Sequence, residues 1–197
     1  MFLHGDILFS QLGSNENAIS AVTRGYRDAR INHMGVVLTN LKGLFVLEAF
    51  PPEVRVTQLE VFLRRSADPV TGAHRYILAR LTSPHRSMIP AAISYGLERR
   101  NVPYDDLYMT DEGALYCSEL VVDMFRYANG GLDFFVEEPM SFRDPATGEI
   151  LPAWIEYYAR FGLDVPESAP GSNPGAISRD ERIDVVHVQG PPAGYSP

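Results

Sequence analysis

The chain has 197 residues, 45% hydrophobic and 21% charged, the composition of one globular domain able to bury a core without disulfides or a structural metal. The formal net charge is −8, and the arginine pairs Arg64-Arg65 and Arg99-Arg100 stand on separate segments, so no basic stripe exists to track phosphates and nucleic acid is not an expected partner. One cysteine permits no internal disulfide, and neither a signal peptide nor a transmembrane run is legible, so the expectation is a soluble, cytoplasmic protein.

Gly5-Asp6 reads as a turn into a short apolar strand, Ile7-Leu8-Phe9. Ala18, Ile19, Ala21 and Val22 recur at helical spacing and predict a short helix over about 16–24. Two β-rich runs, 34–39 and 44–49, flank Asn40-Leu41-Lys42-Gly43 as a hairpin. Pro51-Pro52 closes it and Val54-Arg55-Val56 starts another strand. Thr57-Gln58-Leu59-Glu60 then has the Thr-x-x-Glu spacing of a capping box, opening a helix to about residue 64. A strand over 74–81 follows, then a helix over about 87–100 that tolerates Pro90 in its first turn.

After a loop at 101–106, Leu120, Val121, Met124, Phe125 and Ala128 form one apolar helical face, ended by Asn129-Gly130-Gly131, and Cys117 falls at the start of that helix. A Pro/Gly-rich stretch, a helix over about 153–161, a loop at 170–175 and a strand over 183–188 complete the pattern. It spells an α+β fold in a single domain, 1–189, with 190–197 as a loose tail.

A sole cysteine is either an inert small hydrophobe or a nucleophile, and its surroundings decide. The positive end of a helix dipole and a neighbouring imidazolium both favour thiolate, and Cys117 has the first by position. Of five histidines, His33 is best placed as general base, at the mouth of the strand Met34-Gly35-Val36-Val37-Leu38. Glu48 is the candidate third member. An even hairpin loop pairs Thr39 with Leu44 and Gly35 with Glu48, which sets His33 and Glu48 as diagonal neighbours on one face. A one-residue bulge would set them on opposite faces. The bland alternatives are a buried structural thiol, a surface histidine and the solvent side of a half-buried strand.

Five blocks then carry a resemblance: Gly5-Asp6-Ile7-Leu8-Phe9, Asn32-His33-Met34-Gly35-Val36-Val37, Leu47-Glu48-Ala49, Pro103-Tyr104-Asp105 and Tyr116-Cys117-Ser118-Glu119-Leu120-Val121. In order and context they resemble the YaeF/YiiX-type permuted papain-like amidases, relatives of the NlpC/P60 cell-wall hydrolases. The resemblance implies a papain-like core, a nucleophile helix packed on an antiparallel barrel-like sheet, with Cys117, His33 and Glu48 as the catalytic set. His-before-Cys order is the permutation itself.

The implied activity is cysteine amidase or peptidase chemistry on a small-molecule, peptide or lipid-derived amide, through a thioester, without cofactor or metal. A thiol-dependent lipid acyltransferase or lipase on the same site is the first alternative, and an inactive peptide-binding or amino-acid-binding module the second. Tyr116 and Tyr104 are candidate pocket residues, against the plainer reading of core tyrosines. Asp105, with Asp106, is a candidate for meeting a cationic substrate group, against the plainer reading of a solvated loop pair.

Overall fold

Alternating side chains give a strand two faces to bury, and the computed structural model, which describes residues 1–14, 18–110 and 113–197, shows how this chain covers both. In chain order the elements are β1 (Ile7–Ser10), α1 (Ala18–Val22), β2 (His33–Asn40), β3 (Gly43–Phe50), β4 (Glu53–Gln58), α2 (Leu59–Arg65), β5 (Tyr76–Leu81), α3 (Ile89–Glu98), α4 (Cys117–Ala128), β6 (Glu138–Pro139), α5 (Pro152–Ala159), β7 (Pro170–Gly171), α6 (Pro174–Ile177) and β8 (Ile183–Gln189). Six strands form one antiparallel sheet in the order β4-β3-β2-β1-β5-β8, while β6 and β7 pair as a separate ribbon. This is the expected α+β arrangement of a large antiparallel sheet with helices. Among the described residues no helix is long and apolar enough to cross a membrane.

One sheet face presents Ile7, Phe9, Met34, Val36, Leu47 and Ile77 to α3 and α4, whose Ile93, Leu120, Val121, Met124 and Phe125 meet it. The other face, with Leu8, Val37, Val46 and Leu78, is covered by Leu59 and Phe62 of α2. Burying such side chains stabilises the fold by about 1.5–3 kcal/mol each. Phe142, Trp154 and Tyr158 make a third, smaller cluster beside α5.

The hairpin register follows the sequence: Thr39 pairs with Leu44, Asn40 with Gly43 and Val36 with Leu47, without a bulge. Gly43, at φ 130°, lies where a side chain is disfavoured. The expected helix at 16–24 corresponds to α1, and its first two positions lie outside the described residues.

Four expectations are corrected. α2 begins at Leu59 with no side-chain cap, because Thr57 stays in β4, paired with Val46, and its hydroxyl is taken by Glu48. The helix expected from 87 starts at Ile89 behind a 3-10 turn, Ser83–Met88, and keeps Pro90 in its first turn. The loop at 170–175 contains β7 and the start of α6, where the Asn173 side chain accepts the Ala176 N–H at 2.8 Å. Asn before Pro is itself a helix-start signal. The segment 190–197, expected as a loose tail, is tied back: Arg30 N–H donates to the Ala193 carbonyl at 2.8 Å, Ala193 N–H to Gln11 at 2.7 Å and Ser196 N–H to the Arg27 carbonyl at 2.9 Å.

Gly35 marks the tightest point between β2 and β3. A Cβ there would lie 2.5 Å from Cγ1 of Val46, a stiff β-branched side chain, and 2.9 Å from the Leu47 carbonyl oxygen. Gly35→Ala is therefore expected to destabilise the protein by about 1–3 kcal/mol, the range for overpacking. Urea unfolding checks this, with a lowered midpoint at unchanged m-value as the expected outcome.

Candidate active site

His33 is the first residue of β2, so its ring stands at the end of the sheet, where a group from the α4 side can reach it. The unbroken register places Glu48 on the same sheet face as His33, and the His33 Nε2–H donates to Glu48 Oε2 at 2.6 Å. Both side chains are buried, at 3% and 0% exposure. With Nε2 committed to Glu48, Nδ1 is the ring nitrogen left for Cys117, whose side chain lies near enough to the ring to raise the His33 pKa. Cys117 opens α4 and is buried against the apolar core, at the positive end of a twelve-residue helix. Sequence reasoning named these three residues, and the structure brings them together.

Electrostatics follow from this geometry. Burial alone pulls the His33 pKa down, but its hydrogen bonds to Cys117 and Glu48, reinforced by their charges, outweigh that and raise it from 6.5 to about 9. For Glu48, burial pushes the pKa up, while the hydrogen bond and charge of His33, the charge of Arg65 and the Thr57 hydroxyl bring it from 4.5 down to about 2. At neutral pH the pair is an imidazolium against a carboxylate.

Sequence reasoning missed the shell that makes this buried charge tolerable. Arg65, at the end of α2, donates from Nη2 to both Glu48 oxygens, at 2.6 and 2.7 Å. The Thr57 hydroxyl donates to Oε1 at 2.5 Å. With His33, these contacts fill the acceptor sites of the carboxylate. The Arg65 guanidinium also lies 3.9 Å above the Phe50 ring, with Arg55 at 5.0 Å from the same ring. Phe50 and Phe62 pack against the His33 ring, with centroids 5.3 and 5.4 Å away. Thr57 carried one signal. Arg55 pairs with Glu48 across β3 and β4, so the residue two further on shares its face. No local pattern marks Arg65.

The three candidate pocket residues separate. Tyr116 lines the cavity beside Cys117, yet its hydroxyl is occupied, accepting the Ser172 N–H at 2.9 Å. That bond ties the segment before α6 to the start of α4, and Ser118 adds a second tie by donating to the Ser172 carbonyl at 3.1 Å. Tyr104 does not line the cavity. Burial first, then the nearby Cys117 charge, raise its pKa, and its hydroxyl is linked to Tyr108, which is linked in turn to Tyr157. Tyr108 lines the cavity and holds an unusual left-handed backbone, φ 55°. Asp105 is 4% exposed and also outside the lining, because its carboxylate accepts the N–H groups of Leu107 and Met109, each at 2.7 Å, and so shapes the loop.

The cavity itself measures about 250 Å³ and opens at Cys117 between α1, α5 and the segment leading into α6. Ile19, Val22, Met140, Phe142 and Trp154 give it an apolar wall.

Residues 2–187 match the model of a family described as permuted papain-like amidase enzyme, YaeF/YiiX, C92 family. No curated protein matches the sequence at a significant level. The fold is similar to the crystal structure of metalloprotein yiiX from Escherichia coli O157:H7, with a TM-score of 0.74 over 94% of this chain and 96% of that one, at 20% identity. Among the described residues here, no group of three or more His, Cys, Asp or Glu side chains is placed to hold a metal ion.

Two outcomes follow from the charges. Arg65→Met should destabilise the protein toward the lower end of about 3–5 kcal/mol, since Glu48 loses one buried counter-charge but keeps His33. Arg65→Lys should recover part of the loss without the bidentate contact, as chemical denaturation would show. The second concerns pH. A raised His33 pKa gives stability that is complete below 6.5 and lost as pH rises through about 9. A lowered Glu48 pKa gives stability that is complete above 4.5 and lost as pH falls through about 2. The pair thus contributes most between pH 4.5 and 6.5. Melting temperatures of wild type minus a His33→Ala/Glu48→Gln variant, taken across pH, should peak in that window.

Proposed function

Because the chain belongs to the permuted papain-like amidase family of the YaeF/YiiX kind, we propose that it hydrolyses amide bonds through a thioester on Cys117, with His33 moving the protons and Glu48 keeping His33 charged and oriented. The family makes it a papain-like hydrolase of the cysteine type. One observation carries the assignment of roles: the only cysteine stands at a helix start beside a buried imidazole whose far nitrogen is 2.6 Å from a buried carboxylate.

In this reading the Cys117 sulfur attacks the acyl carbon and the carbonyl π pair moves onto oxygen. The N–H of Cys117 receives that oxyanion, since the first amides of an α-helix have no intrahelical acceptor. The tetrahedral adduct collapses as the C–N bond breaks and the His33 imidazolium gives its Nδ1 proton to the leaving amine. Neutral His33 then takes a proton from water, whose oxygen attacks the thioester. Breaking the C–S bond releases a carboxylic acid and restores thiolate and imidazolium. Tyr116 forms part of the wall against which the acyl group rests.

A screen of amide, peptide and ester libraries, read by turnover and by intact mass of the trapped acyl-enzyme, tests the proposal. Cys117→Ala should abolish the adduct, because no other thiol exists. His33→Ala should lower kcat/KM by about 10²–10⁴. Glu48→Gln should cost less, keeping an acceptor while losing the charge that stabilises imidazolium. The His33→Ala/Glu48→Gln double variant should resemble His33→Ala alone, since an orienter without its imidazole has nothing to orient. Full additivity in equally folded proteins would instead make Glu48 an independent substrate contact or a structural carboxylate.

A further inference from the structure

Charge along the cavity runs against the rest of the chain. The protein carries −8 overall, yet the charged residues lining this cavity are Arg24, Arg179 and Glu138, a local excess of one positive charge. Both arginines are exposed, and neither guanidinium has a hydrogen-bond or ion-pair partner among the described residues, although ten ion pairs elsewhere engage other arginine and histidine side chains. Their proximity is built into the fold. Gly175 packs so tightly against the Arg24 backbone that a Cβ there would lie 2.6 Å from the Arg24 carbonyl oxygen. Four residues on, Arg179 follows Ser178, whose hydroxyl accepts the Tyr26 N–H at 2.8 Å and donates to the Gly175 carbonyl at 2.8 Å. The segments bearing the two arginines are thereby clamped together at the rim of a cavity whose inner wall is apolar. Like charges held on abutting segments repel each other, and one carboxylate, Glu138, leaves an excess that an anion entering the cavity relieves.

We infer that the cavity selects amides bearing an apolar group and a carboxylate, with the apolar group against Phe142 and Trp154 and the carboxylate at Arg24 and Arg179. This rests on the reading of Cys117 as nucleophile and names the substrate class for the same site. It replaces the cationic preference expected from Asp105, whose oxygens face the backbone of its own loop. Arginine suits the task because its fork meets both oxygens of a carboxylate.

Bromoacetyl-phenylalanine and its neutral carboxamide, two electrophiles differing only in that charge, test the inference on the full chain. The sole cysteine makes the mass increase unambiguous, and saturation kinetics separate the binding constant KI from the alkylation step kinact. The carboxylate probe should bind more tightly, and Arg24→Gln and Arg179→Gln should each raise its KI by about two- to fivefold, the scale of an exposed ion pair, without moving kinact or the KI of the carboxamide. Glu138→Gln should lower the carboxylate probe's KI, and bromoacetylglycine, which lacks the ring, should bind more weakly. Equal KI for the two phenylalanine probes, or values indifferent to both arginine substitutions with kinact intact, would overturn the inference and leave the nucleophile standing. Absence of alkylation would count against the nucleophile alone. Calorimetric binding of N-acetylphenylalanine and its amide to Cys117→Ala then repeats the comparison without the thiol, and equal affinities there overturn the selection of carboxylates.

Discussion

A charged carboxylate buried at 0% exposure is the constraint around which this molecule is arranged. Left alone, Glu48 would cost several kcal/mol in desolvation. Four short contacts from His33, Thr57 and Arg65 offset that cost, and each partner comes from a different element: the start of β2, the end of β4 and the end of α2. The β2–β3–β4 meander and the short helix after it are tied to one another at one ion. The same contacts set the chemistry, because a carboxylate fixed in its ionised form keeps the imidazole beside it protonated.

The thiol arrives by a separate route. α4 packs its apolar face on β2 and β3 from the side opposite α2, so the thiol and the His33 imidazole approach the sheet from two faces and meet at its end. The part of the cavity wall that leads into α6 is attached to the helix through Tyr116, Ser118 and Ser172. A shift of α4 would therefore carry the sulfur and part of its pocket together, leaving His33 and Glu48 behind.

Much of this was legible in sequence for stated reasons. A two-residue hairpin turn fixes register, and register alone brings His33 to Glu48. The apolar spacing of Leu120, Val121, Met124 and Phe125 fixes where α4 begins, and so where Cys117 stands. What stayed hidden depends on contacts between elements. Arg65 looks like an ordinary basic residue in the last turn of a helix until α2 folds over the sheet. Thr57 carries a capping-box spacing that strand pairing and a nearby carboxylate override, since a hydrogen bond to an ion is about twice as strong as one between neutral groups. Asp105 was legible in the other direction: an aspartate in a loop satisfies the backbone two and four residues on more readily than it waits for a ligand.

The separation of these groups along the chain bears on the order in which the site is assembled. His33, Glu48, Thr57 and Arg65 fall within one local stretch of antiparallel neighbours, whereas the thiol enters only at residue 117. Closing a loop costs about 0.6 kcal/mol more for each doubling of its length, so the local contacts are the cheaper ones to form, and during synthesis they also emerge first. The residues of the charge network thus emerge from the ribosome before Cys117, and the thiol meets His33 only when α4 docks. Until that packing step the thiol lies outside the pocket, and its pairing with the buried imidazole is acquired together with the native fold.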